Sequence, residues 1–285
     1  MTAVLILGST ATDDLWRAWS PDPLVLAAAL GAVACFLHGW RRLRRRRPEL
    51  APVSRIPLFL TGIAIVVLGL LSPLDAIAEE YLQSAHMLQH VLVADLGVAL
   101  ALLAVRGPLA MFFLPRGLLA PLARARPLRA ALSFLLRPRV AVPLWVGVLV
   151  AWHLPLLYEA ALEQPVLHRL EHLSFVLVGA LVWTLLIDPA RHGRLGLAGR
   201  IGLAALLFWI GQALAYVFVF GFDPFYDVYV AQPERLFGLS PLTDQRLAGV
   251  VMLVEQLVTL GTALVLLLRT ARRARSLPAT AEPAA

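Results

Sequence analysis

Seven runs of apolar residues, each near the length that crosses a lipid bilayer, constrain this chain more than any other feature. A hydrocarbon core ~30 Å thick takes about 20 helical residues at 1.5 Å of rise each. The runs cover approximately Leu24 to Trp40, Ile56 to Leu74, Gln83 to Val105, Val140 to Leu154, Val166 to Ile187, Ile201 to Phe220 and Leu247 to Leu268, the fourth being the shortest. With 60% hydrophobic residues and a mean hydropathy of +0.78, the chain is far too apolar for a soluble domain. The expected fold class is therefore all-α, a polytopic membrane helix bundle of seven transmembrane helices.

Charge sets the expected orientation. The net charge of +7 comes from 25 Arg and no Lys, clustered in short stretches between the apolar runs, which suits a membrane surface better than nucleic acid. Arg41, Arg42, Arg44 to Arg47 and Arg55 lie between the first two runs, and seven more lie between Arg106 and Arg139. Arg191, Arg194 and Arg200 follow the fifth run, and Arg269, Arg272, Arg273 and Arg275 follow the last. In all, 21 of the 25 Arg fall on one side, while the alternate connections hold acidic residues such as Asp75, Glu79, Glu80, Glu159, Glu163, Asp227 and Asp244. Because cytoplasmic loops carry the basic residues, the N-terminus is expected outside and the C-terminus in the cytoplasm.

No internal repeat or soluble domain is apparent, so residues 1–275 read as one transmembrane helix-bundle domain, followed by an Ala/Pro/Glu-rich, disordered cytoplasmic tail at 276–285. A cleaved signal peptide is not expected, because Asp13, Asp14 and Arg17 make no basic n-region. The connection from Arg106 to Arg139 mixes Leu with Arg, the composition of a helix lying along lipid headgroups. Cys35 has no partner cysteine, which excludes an intrachain disulfide.

Ionisable residues inside apolar runs are costly and mark candidate sites. His86 and His90 are four apart on the third run, His168 and His172 four apart on the fifth, and His153 closes the fourth. Residues at i and i+4 share a helix face, so each pair presents two imidazoles together. Counted from the inner polar boundary, His90 and His172 each stand 16 residues in and His153 and Glu255 each 14, which puts all four roughly 21–24 Å above that boundary. The predicted metal site comprises His86, His90, His153, His168, His172, Glu171, Glu255, Met87 and Met252. A structural cluster of interhelical hydrogen bonds is the competing reading. Glu171 reads as a ligand, as the carboxylate orienting His172, or as a charge favouring the helix dipole, with the orienting role preferred. Imidazole with thioether suits copper(I), whereas imidazole with carboxylate suits zinc or iron. Met87 and Met252 also read as core packing. Asp95 lies on the helix wheel away from the His86/His90 face and reads as a buried contact or a proton-relay group. Cys35 and His38, three apart, offer a further soft pair, with packing as the plainer reading, and His192 reads as a solvated loop residue.

Several stretches carry a resemblance. They are Ser72-Pro73-Leu74-Asp75, Ser84-Ala85-His86-Met87-Leu88-Gln89-His90, Trp152-His153-Leu154-Pro155, Tyr158-Glu159-Ala160-Ala161-Leu162, His168-Arg169-Leu170-Glu171-His172 with Phe175, Gly179 and Trp183, and Asp244-Gln245-Arg246-Leu247-Ala248-Gly249 with Met252. In order and combination, over residues 72 to 268, the chain resembles the CtaG-like family of caa-type cytochrome c oxidase assembly factors of bacterial membranes. Members of that family often have a proline pair after the third-helix motif, where this chain reads Asp95-Leu96-Gly97-Val98. The resemblance implies a multi-pass protein of the bacterial plasma membrane that helps mature a haem-copper oxidase, conventionally by copper supply. Its implied partners are oxidase subunits besides the lipid bilayer, with no nucleic acid. The oligomeric state, a homo-oligomer among the options, stays open. The expected cofactor is copper, with zinc as the alternative.

No catalytic nucleophile, phosphate loop or flavin fingerprint is present, so an enzyme is not expected. A membrane metal-dependent oxidoreductase and a metal or haem transporter remain the alternatives. The absence of Lys removes the Schiff base of a retinal protein.

Overall fold

The computed structural model describes residues 15–190 and 193–276, and among these every regular element is helical. The main helices are α1 (Pro23–Arg44), α2 (Arg55–Leu71), α3 (Pro73–Glu80), α4 (Gln83–Val105), α5 (Arg116–Arg124), α6 (Arg126–Leu135), α7 (Pro138–His153), α8 (Pro155–Glu163), α9 (Pro165–Ile187), α10 (Leu197–Phe220) and α11 (Pro241–Arg275). Of these, α1, α2 with the turn before it, α4, α9, α10 and α11 are each long and apolar enough to cross a membrane. The expected fourth crossing is α7, which has 16 residues and so reaches only ~24 Å. It joins α6 across a 72° bend, so the crossings number six, or seven with this pair. Arg191, His192 and the tail beyond Ser276 lie outside the described residues.

Helix starts follow local chemistry. Asp22 Oδ1 accepts from the Leu24 and Val25 N–H groups ahead of α1, Ser72 Oγ caps α3, and Ser240 Oγ caps α11, each with Pro in the first turn. In α9 the residues Leu170, Leu173 and Leu177 are exposed, while His168, Glu171, Phe175, Val178 and Val182 are buried. Apolar side chains thus face outward at helical spacing and polar ones inward, the arrangement of a helix solvated by lipid. The connection before α7 takes the expected amphipathic form: α6 exposes Leu128, Leu132 and Phe134 between its Arg residues.

At the centre stands α4, packed against α2, α9 and α11, with α10 behind α11 and α7 against α9. Small residues let the backbones approach. A Cβ at Gly62 would lie 2.8 Å from the Gly97 carbonyl oxygen, and one at Gly179 would strike the Ala94 carbonyl oxygen. Ala94 belongs to a π-helical segment, Val91–Leu96, and α11 carries a second at Leu257–Gly261. The π segment corrects the placement of Asp95. Bonding from i to i+5 winds the chain more slowly than an α-helix, so five residues complete about one turn. Asp95 therefore lines the same cavity as His90, which the uniform α-helical wheel placed on another face.

Candidate metal centre

The third-helix histidines are set in register from another helix. The Gln83 and Ser84 N–H groups open α4 and have no partner within it. Asp244 in the first turn of α11 accepts both, at 2.7 and 3.2 Å, and also takes the Ser84 hydroxyl. One turn later His86 and His90 project toward α9, where His168, Glu171 and His172 project back.

The rings form a compact group. Centroids lie 4.3 Å apart for His86 and His90, 4.3 Å for His168 and His172, 5.5 Å for His86 and His168, and 5.0 Å for His90 and His172. Glu171 Oε1 lies 3.3 Å from His90 Nε2 and 3.9 Å from His86 Nε2. One atom each of His86, His168 and Glu171 falls within 4.8 Å of the others, close enough for three ligands on one ion. His86 is fully buried and Glu171 almost so.

Whether this group fits a metal turns on its free donors. Both nitrogens of His86 and of His90, Nε2 of His168 and of His172, and Oε2 of Glu171 are buried without a hydrogen-bond partner. Each such atom costs about 1–3 kcal/mol if nothing satisfies it. A purely structural cluster of hydrogen bonds would use these atoms on one another, and here only the approach of Glu171 to His90 and His86 does so. Three of these side chains, His86, His168 and Glu171, offer ligand atoms close enough to meet on one ion of the imidazole-binding metals.

A carboxylate outside the spans orients the group. At the end of α3, Glu79 Oε1 lies 2.5 Å from His168 Nδ1, which leaves Nε2 of that ring facing the cluster. A metal-binding imidazole held in this way has its tautomer and ring angle fixed. The His168 hydrogen bond holds the Glu79 carboxyl below the usual glutamate range. Beside it, burial and the charge of Glu79 push Asp75 up, although Gln89 Nε2 at 2.5 Å and the Ser20 hydroxyl at 3.0 Å both donate to it. Glu79 stood in the sequence only as loop charge. What could have revealed it is its place one residue from the end of a short helix capped by Ser72, which returns it over the fifth run.

The nine predicted residues are not all brought together. Glu171 lies against His86 and His90 on the neighbouring helix, whereas its orienting role was expected toward His172. His153 stands apart, its Nδ1 on the Leu149 carbonyl oxygen at 2.7 Å and its ring packed on Phe175 and Phe218. Met87 and Met252 are buried in an apolar cluster with Tyr158, Phe218, Tyr226 and Tyr229. Tyr158 stacks on Tyr226 at 3.7 Å and places its ring 5.0 Å from His86, closing that side. Glu255 lies with Asp95, inward of the imidazoles. Cys35 and His38 belong to no group of three or more candidate ligands among the described residues.

A bundle of helices long and apolar enough to cross a membrane, with an imidazole and carboxylate cluster buried between two of them, places the chain among polytopic membrane proteins. The family model for the cytochrome c oxidase caa3 assembly factors, Caa3_CtaG, matches residues 34–274, and the chain belongs to that family. No curated protein and no solved structure matches it.

Proposed function

We propose that this protein supports maturation of a haem-copper cytochrome c oxidase by holding a copper ion in the His86, His90, His168, His172 and Glu171 cluster and passing it to the catalytic subunit. The observation that carries this reading is the set of buried, unpartnered donor atoms converging from α4 and α9. Imidazole and carboxylate donors bind copper and zinc alike, and copper is the metal that the oxidase itself needs. Met87 and Met252 line the cavity beside His90 and offer softer donors there for copper(I). The segregation of Arg supports an N-out, C-in orientation in the bacterial plasma membrane, which turns the cluster toward the outer face. The role is one of binding and delivery, not catalysis.

A strain lacking the protein is expected to assemble an oxidase deficient in catalytic copper and activity, while oxidases without copper keep working. His90→Ala or His168→Ala should reproduce the defect at a normal level of the protein in the membrane, and His192→Ala should be silent. Normal copper and activity in the deletion strain refute the assembly reading. Purified protein should bind about one copper or zinc ion per chain, with affinity falling as pH drops through ~6.5 because coordinating imidazole must be neutral.

A further inference from the structure

A cavity of about 80 Å³ lies inward of the imidazole cluster, between α4, α7, α9, α10 and α11. Most of its wall is apolar, and its polar lining is His90, Asp95, His153, Trp183, Glu255 and Gln256. Asp95 is five residues inward of His90, or about 7 Å along α4. Its Oδ1 accepts a hydrogen bond from Trp183 Nε1, and Glu255 of α11 lines the same cavity. Both groups sit next to π-helical turns, Asp95 within Val91–Leu96 and Glu255 just before Leu257–Gly261.

Two ionised carboxylates are acceptors only, so two such groups facing one small cavity can share a hydrogen bond only when one of them carries an O–H. No Arg lines the cavity among the described residues, and the titratable neighbours are the imidazoles of His90 and His153. No cation therefore stands beside the pair to balance two negative charges in a medium where charge is costly. Glu255 Oε1, Gln256 Oε1, His153 Nε2 and both nitrogens of His90 are buried without partners around the same space. The cavity exceeds the ~10–15 Å³ that one water needs, so water can bridge these atoms from the imidazoles to the acids.

We propose that Asp95 and Glu255 form a proton-binding site inside the membrane, holding one hydron between their carboxyl groups and exchanging it through the cavity that joins them to His90 and His153. The site does not depend on the metal reading. Its ligand is the hydron, and Trp183 holds Asp95 in place to share it.

Infrared spectroscopy of the purified protein in lipid at neutral pH tests this. The expected result is a carboxylic-acid C=O band equivalent to about one group per chain. It should vanish in D95N/E255Q, whose amides can still hydrogen-bond to each other, and persist in His86→Ala. A second measurement on the wild type covers failure of the double variant to fold. Dicyclohexylcarbodiimide, an apolar reagent, takes the proton of an un-ionised carboxyl group and adds its central carbon to the carboxylate oxygen. Mass spectrometry should then find the adduct on Asp95 or Glu255. Absence of the acid band in the wild type, its survival in D95N/E255Q, or a chain unlabelled at both residues overturns the proposal.

Discussion

Replacing Asp244 by Ala removes the one group that receives the first two N–H donors of α4. Gln83 is 3% exposed and Asp244 also 3%, so water cannot readily take over as acceptor. A buried donor left unsatisfied costs about 1–3 kcal/mol, and two such donors cost roughly 2–6 kcal/mol if the helix end stays in place. Fraying of the first turn relieves part of this, leaving about 3 kcal/mol. At roughly 2–4 °C per kcal/mol, the midpoint of thermal unfolding in detergent should fall near 10 °C. Fraying also moves His86, which begins that turn's inward face, so metal affinity should drop together with stability. Asp244→Asn keeps one carbonyl acceptor and should recover roughly half of the loss. Thermal unfolding and metal titration of the two variants provide the assay. A midpoint for Asp244→Ala within about 1 °C of the wild type would falsify the claim that α11 holds the register of α4.

Four further outcomes are expected. Glu79→Gln should weaken metal binding by about 10–100-fold, measured by competition with a chelator. Because the Glu79 carboxyl is held below its ordinary range, its pairing with His168 is complete above that range and lost only as pH falls through the lowered value, so Glu79→Gln should remove that acid-side loss in a pH series of thermal midpoints. Gly179→Ala drives a Cβ into the Ala94 carbonyl and should destabilise by about 1–3 kcal/mol, with no change in midpoint counting against the close approach of α9 and α4. Cysteines placed at Glu163 and Asp227 should react with an impermeant maleimide added outside intact cells, while one at Arg194 should not, and the reverse pattern would invert the orientation.

Much of the bundle was legible because a membrane leaves few options: long apolar runs must become helices, and six of the expected crossings coincide with helices of spanning length. The imidazole pairs were legible for the same reason, since i, i+4 spacing is local geometry. What the one-dimensional pattern hid was every departure from uniform winding or straight passage. Asp95 was misplaced because a wheel at 100° per residue carries no π turn, and the residues Val91 to Leu96 gave no sign of one. Glu79 was passed over because its partner is 89 residues further along, across a reversal that only the packing of α3 reveals. The depth count set Glu255 level with His153 and near the other imidazoles, yet distance from an Arg boundary says nothing about which neighbours a side chain meets, and Glu255 lines the cavity with Asp95 and is not part of the His86, His168 and Glu171 group.

The shortness of α7 bears on the lipid itself. As a crossing its 16 residues cover ~24 Å against a hydrocarbon thickness of ~30 Å, so the bilayer beside it must thin by several ångströms or α6 must dip inward to fill the gap. Either way the adjustment, of lipid or of chain, falls on the flank where Trp145, Leu149 and His153 wall the cavity.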